Sequence, residues 1–243
     1  EIFGDIDCIY RLIKNYGWYS SEYFYSWIKK QIASQFDSSK KLPPYTFADF
    51  KNSYIHKNQR PFLDLYIIGV DVSNKCSKVF SYEMTPHMEV AEAVRISMSI
   101  PLFFEQIKIT DYNNKKANLK THIFTDGGVM RVYPINIFDS NYFKDTIIND
   151  VNMQTLGARF DSNVKYSEIN NFIDYVENLL KSFFKVQQDI YNNNTQDKLR
   201  SINIYTNDIS PIDFDISLND KKYNFLYRQG YNATKNYFKK SLH

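Results

Sequence analysis

The chain has 243 residues, 43% of them hydrophobic and 23% charged, with 30 Lys and Arg against 27 Asp and Glu for a formal charge of +3. That balance fits one substantial globular core and argues against a disordered or fibrous chain. The basic residues are scattered among acids, which gives nucleic acid no evident surface, and no run approaches the roughly 18 apolar residues of a membrane span.

In chain order, Asp5 to Asn15 reads as a helix with Ile6, Ile9, Leu12 and Ile13 on one side, ended by Gly17. A second helix follows Ser20 or Ser21, carrying Tyr23, Phe24, Trp27, Ile28 and Ile32 at helical spacing. An amphipathic helix facing the core explains that spacing more simply than contact with lipid. Ser38 to Pro44 is a loop, and Thr46 to Asp49 has the form of a capping box. Phe62 to Val70 is the strongest strand, too densely apolar for an edge, with Lys78 to Tyr82 as its neighbour.

Thr85-Pro86 predicts a helix start, with Val90, Ala91, Val94 and Met98 inward and Pro101 past the end. Phe103 to Ile109 and Thr121 to Thr125 make a strand pair around a polar surface loop, Asp111 to Lys120. A short strand at Met153 to Leu156 precedes Gly157. A long amphipathic helix spans Tyr166 to Tyr191 and stops at Asn192-Asn193-Asn194. Ser201 to Tyr205 is the last strand and Lys221 to Lys240 the last helix. Strands alternating with helices predict an α/β sheet, in a single domain over residues 1–243.

Two cysteines, Cys8 and Cys76, make no disulfide framework, and neither they nor the four histidines show metal spacing. No cofactor is expected. The 20 Tyr and 19 Phe suit a core, and Tyr also suits a surface wet on one side and apolar on the other. Glu1 does not open a signal peptide, and the abrupt start without Met suggests further sequence upstream.

Asp126-Gly127-Gly128 is the most informative motif, the only adjacent glycine pair among seven glycines. It closes the β-prone run Thr121 to Thr125. A carboxylate at a strand end, followed by two residues able to take positive φ, is a good mount for a general base. A tight hairpin turn explains the same residues equally well.

The flanking sequence tips that balance. The run from Ala91 to Phe104, Asp126-Gly127-Gly128-Val129 with Tyr133-Pro134-Ile135, and Leu65 to Ser73 together resemble the patatin-like phospholipase family. Thr155-Leu156-Gly157, Asp213-Phe214, and Gly230 with Thr234 fall in the expected order downstream. One departure is Val132, where many relatives carry Asn, and it bears on a local loop hydrogen bond.

The resemblance implies a three-layer α/β fold: a central, mostly parallel sheet flanked by helices, its N-terminal strands and nucleophile elbow missing from this chain. It also implies a Ser–Asp dyad that hydrolyses phospholipid or related acyl esters, with Asp126 as base and Gly127 and Gly128 shaping its loop. No Gly-x-Ser-x-Gly occurs in these residues, so the serine and oxyanion donors are expected on an upstream segment, and the chain alone is expected to be inactive. Ser97 and Ser99, at the end of an apolar helix, make poor nucleophile candidates.

His87 reads as a surface residue, His122 as a strand residue, Arg95 as a structural bridge, and Asp71 and Asp139 as turn or cap residues. A phospholipid or membrane surface is the expected partner, with no nucleic acid. The sequence leaves an activator protein and the oligomeric state open, and no feature favours a chain that acts only as an activator or partner of a membrane protein. The expected location is cytoplasmic or peripheral to a membrane. The alternative is an inactive binding or regulatory protein on the same fold.

Overall fold

Every residue of the strand Ile67–Asp71 is buried, and neighbouring strands hydrogen-bond to it on both sides. The computed structural model describes residues 2–110, 120–139, 146–162, 165–192, 194–209 and 215–240. They fall into two units, Glu1–Val132 and Tyr133–His243. Asp213-Phe214, Asn193 and all of the polar loop but Lys120 lie outside the described residues.

The first unit runs α1 (Ile2–Asn15), β1 (Gly17–Tyr19), α2 (Glu22–Ala33), α3 (Phe47–Lys51), β2 (Ile67–Asp71), β3 (Cys76–Phe80), α4 (Val90–Ser97), β4 (Leu102–Phe104), β5 (Ile107–Thr110) and β6 (Thr121–Asp126). Four strands form one sheet in the order β3-β2-β6-β5, with β2 central as its apolar density predicts. Each pairing in that sheet is antiparallel, which corrects the expectation of a mostly parallel sheet. The β2–β3 connection spans only residues 72–75, whereas a parallel crossover needs about a dozen residues or more. Among the described residues, parallel pairing is confined to two-stranded sheets, β1 with β4 in this unit and one in the second unit.

The core of the first unit is Phe47, Ile67, Phe80, Val90, Ala93, Ile96, Ile107 and Phe124. α4 buries Val90 and Ala91, as the sequence predicts, together with Ala93 and Ile96; Val94 packs against the core partly buried, and Met98 is only half-buried. α3 starts at the predicted capping box, with Thr46 and Asp49 each accepting from the other's backbone amide.

Several local features of this unit differ from expectation for a tertiary reason. The strand expected from Phe62 starts at Ile67, because Phe62 turns away to stack on His56 at 3.8 Å. Thr85-Pro86 starts no helix: Phe47 N donates to Met88 O and Val90 N to Tyr45 O, so this stretch runs beside residues 45–47 and α4 starts only after Glu89, whose side chain makes no cap hydrogen bond. The strand expected over Phe103 to Ile109 splits into β4 and β5, in different sheets, where Glu105 turns in to meet Arg95. At the end of α1 the left-handed residue is Tyr16, with φ 62°. Gly17 is glycine because a Cβ there would overlap the Phe104 carbonyl.

The second unit contains β7 (Ile147–Ile148), β8 (Val151–Asn152), β9 (Gly157–Ser162), α5 (Phe172–Asn192), α6 (Thr195–Leu199), β10 (Ser201–Asn207) and α7 (Lys221–Lys240). β9 and β10 pair in parallel, and α7 has the bounds read from sequence. The strand expected at Met153 to Leu156 begins instead at Gly157, because Gln154 N donates to Asn152 Oδ1 and Thr155 N to Asn152 O in a turn. α5 starts six residues later than expected, at Phe172, where the Asn171 side chain accepts from Asp174 N. It buries Val176, Leu180 and Tyr191. No described helix is long and apolar enough to cross a membrane.

Candidate active site

Asp126 is the last residue of β6 and lies opposite Gly69 of β2. Side chains alternate across a strand, so Asp126 shares a face with Phe124, the face that α4 covers. A Cβ on Gly69 would come within 2.6 Å of Ile96 Cγ2 and 2.8 Å of Phe80 Cε2. The bare glycine lets α4 sit close beside the acid.

Three contacts hold the strand end. Asp126 N donates to Ser99 O at 3.0 Å, and Thr125 Oγ1 donates to the same carbonyl at 2.8 Å. Ser99 Oγ donates to Arg95 O at 2.7 Å, so its hydroxyl is engaged with its own helix. Ser99 positions Asp126 through its backbone, a role that sequence reading did not assign. No local pattern signals it, because the two residues meet only through the packing of α4 on the sheet.

Residues Gly127–Val129 form a single 3-10 turn, capped by the Asp126 carboxylate, which accepts from Gly128 N at 2.6 Å. Among the described glycines none takes a positive φ, so the expected left-handed turn is not how the pair works. A Cβ on Gly127 would lie 2.5 Å from Ile68 O. Close approach of β2 is what requires glycine there.

Among the described residues no cation pairs with Asp126. Burial raises its carboxyl to about 6, against the opposing pull of the Gly128 amide. Asp71, on the same sheet face, is held differently. Burial pushes it up, but the Asn74 amide at 3.0 Å and His122 Nδ1 at 2.9 Å outweigh that and leave it below the usual carboxylate range. It is a turn residue, as the sequence suggests, with His122 as an added strand partner.

Arg95 bridges Glu22 and Glu105, each at 2.9 Å, and donates to Ser21 Oγ at 2.7 Å, a structural role. His87 is exposed. In the second unit Asp139 is more than a cap: it takes both arms of the buried Arg200 at 2.6 Å. A shallow hollow lined by Phe47, Phe50, Leu63 and Tyr82 includes none of these site residues. Among the described residues no cluster of His, Cys, Asp and Glu could hold a metal ion.

The profile of the patatin-like phospholipase family matches residues 3–139, more than half the chain and the whole of the site above. The chain belongs to the patatin-like phospholipase family. Viral relatives are similar to it in sequence. Uncharacterized protein R571 of Acanthamoeba polyphaga mimivirus is 29% identical over 181 residues, 71% of this chain and 52% of that protein. Probable lipid hydrolase 463L of Invertebrate iridescent virus 6 is 33% identical over 73 residues, 30% of this chain and 22% of that one. The patatin-like chain thus covers about half the length of the first relative and less of the second. The crystal structure of VipD from Legionella pneumophila aligns with a TM-score of 0.48 at 13% identity, covering 81% of this chain and 35% of that chain.

Proposed function

We propose that this chain supplies the base of a lipid acyl hydrolase that works through a Ser–Asp dyad on phospholipid or related acyl esters. The observation that carries the proposal is Asp126: a carboxylate with no cation partner among the described residues, at a strand end, raised to about 6. A base at that value is still mostly ionised near neutral pH, and it accepts a hydroxyl proton about a hundredfold more readily than an ordinary carboxylate.

In this mechanism Asp126 takes the serine proton as the serine oxygen adds to the acyl carbonyl. The proton then passes to the departing alcohol as the tetrahedral intermediate collapses to an acyl-serine. In the second half Asp126 takes a proton from water, hydroxide adds to the acyl-serine, and the serine leaves with that proton. Gly127 and Gly128 keep the carboxylate in place, the first by admitting the Ile68 carbonyl and the second through its amide. Residues 1–243 carry no Gly-x-Ser-x-Gly, so the nucleophile and oxyanion donors belong to sequence outside them, and residues 1–243 alone hydrolyse nothing.

The test is Asp126→Ala in the serine-bearing polypeptide, with release of fatty acid from phospholipid as the readout. A loss of about three orders of magnitude or more is expected, since one member of such a unit can cost nearly as much as all. Retained activity above a few per cent would sink the assignment. With the dyad intact, kcat/KM should rise with pH through about 6 and then level, because the base must be ionised. The lack of a nucleophile elbow in these residues favours a second reading, an inactive binding protein. Labelling of the serine-bearing polypeptide by a fluorophosphonate excludes it.

A further inference from the structure

The basic residues are scattered over the whole chain, but six of the thirty fall in one helix with no acid among them. α7 holds Lys221, Lys222, Arg228, Lys235, Lys239 and Lys240, and no Asp or Glu, in residues 221–240. At about 100° per residue, Lys221, Arg228 and Lys235, seven apart, and Lys239 fall on one line along the helix. All four are exposed. The neighbouring line, about 80° round, carries Tyr227, Tyr231 and Phe238, which are 67%, 61% and 49% exposed. The opposite side is the one that packs, with Tyr237 Oη donating to Leu199 O at 2.9 Å. Asp220, the acid that precedes the helix in sequence, is turned to its own backbone and accepts from Ser217 N and Tyr223 N.

A solvated helix face needs cations or polar residues, but it does not need three large aromatic rings beside them. A row of Lys and Arg next to a row of Tyr and Phe matches the boundary of an anionic membrane. There the cations meet lipid phosphates and carboxylates, and the amphipathic rings sit at headgroup level. We infer that the outer face of α7 docks on an anionic lipid surface. A helix of about 30 Å lying flat would set all seven side chains against the headgroups at once. The choice of lipid over another polyanion rests on the hydrolase reading and on the aromatic row, but the binding itself does not require turnover.

The experiment is flotation of the full chain with vesicles of phosphatidylcholine, with and without phosphatidylserine. Capture is expected by the anionic vesicles only, weakening at least tenfold from low to high salt. Arg228→Glu with Lys235→Glu should weaken it by about a hundredfold, and Tyr227→Ser with Tyr231→Ser by about tenfold. Circular dichroism checks that these surface variants fold, and the salt dependence of the unmodified protein stands without them. Absence of capture by anionic vesicles, or capture that neither pair of folded variants weakens, overturns the inference. So does tighter binding to a single-stranded oligonucleotide that ignores the tyrosine changes, which would mark a nucleic-acid surface. Asp126→Asn should float like the unmodified chain, so loss of hydrolysis and loss of docking are read separately.

Discussion

Asp126 in the first unit and Asp139 in the second are both half-buried acids that accept a backbone amide, yet their surroundings treat them oppositely. Asp139 accepts from Asn152 N at 2.8 Å and from both arms of Arg200. Burial would push its carboxyl up, but the guanidinium and the amide win and leave it below the usual range. Asp126 has the Gly128 amide and no cation among the described residues, and burial wins. A structural acid is matched with a cation at its own charge. An acid held for proton transfer, the role proposed for Asp126, is left undercompensated, at a cost that the surrounding fold carries.

The strongest way to break this contrast is Arg200→Met. Arg200 is 2% exposed and also meets Asp197 at 2.7 Å. Removing it strands two carboxylates and should cost about 3–5 kcal/mol. Urea unfolding, together with hydrogen exchange at the β10 amides, reads that loss. An unchanged midpoint would mean that the cluster is ornamental.

Gly127→Ala comes next. The new methyl would press on the Ile68 carbonyl, and about 1–3 kcal/mol is expected in thermal unfolding. In the serine-bearing polypeptide kcat should fall as well, because the displaced turn carries the carboxylate with it.

Asp126→Asn is the smallest effect and the sharpest test, because its sign is opposite. With its folded value raised to about 6, the ionised carboxylate penalises the fold above that pH, and the penalty fades as pH falls toward about 4. The variant should therefore be more stable by about 1–2 kcal/mol at pH 7.5 and indistinguishable at pH 4, by thermal melts. Asp139 runs the other way. Its stabilisation is complete above about 4, the unfolded carboxyl value, and is lost as pH falls further, through its depressed folded value. A variant no more stable than the original at pH 7.5 would mean that Asp126 carries no such strain.

What the sequence could specify by itself was local. The capping box at Thr46 and Asp49, the bounds of α7, the central place of β2 and the strand-end position of Asp126 all rest on residues within a few positions of one another. Hydrophobic density, caps and a glycine pair signal them directly. The tertiary structure alone decided the pairing of β2 with β6, the break between β4 and β5 at Glu105, and the pairing of Arg200 with Asp139 across 61 positions. It also decided why Gly127 is glycine, which depends on Ile68 rather than on a turn. Each of these is set by which distant segment arrives alongside. The basicity of Asp126 belongs with them, since the burial that lifts it comes from packing that brings remote segments together.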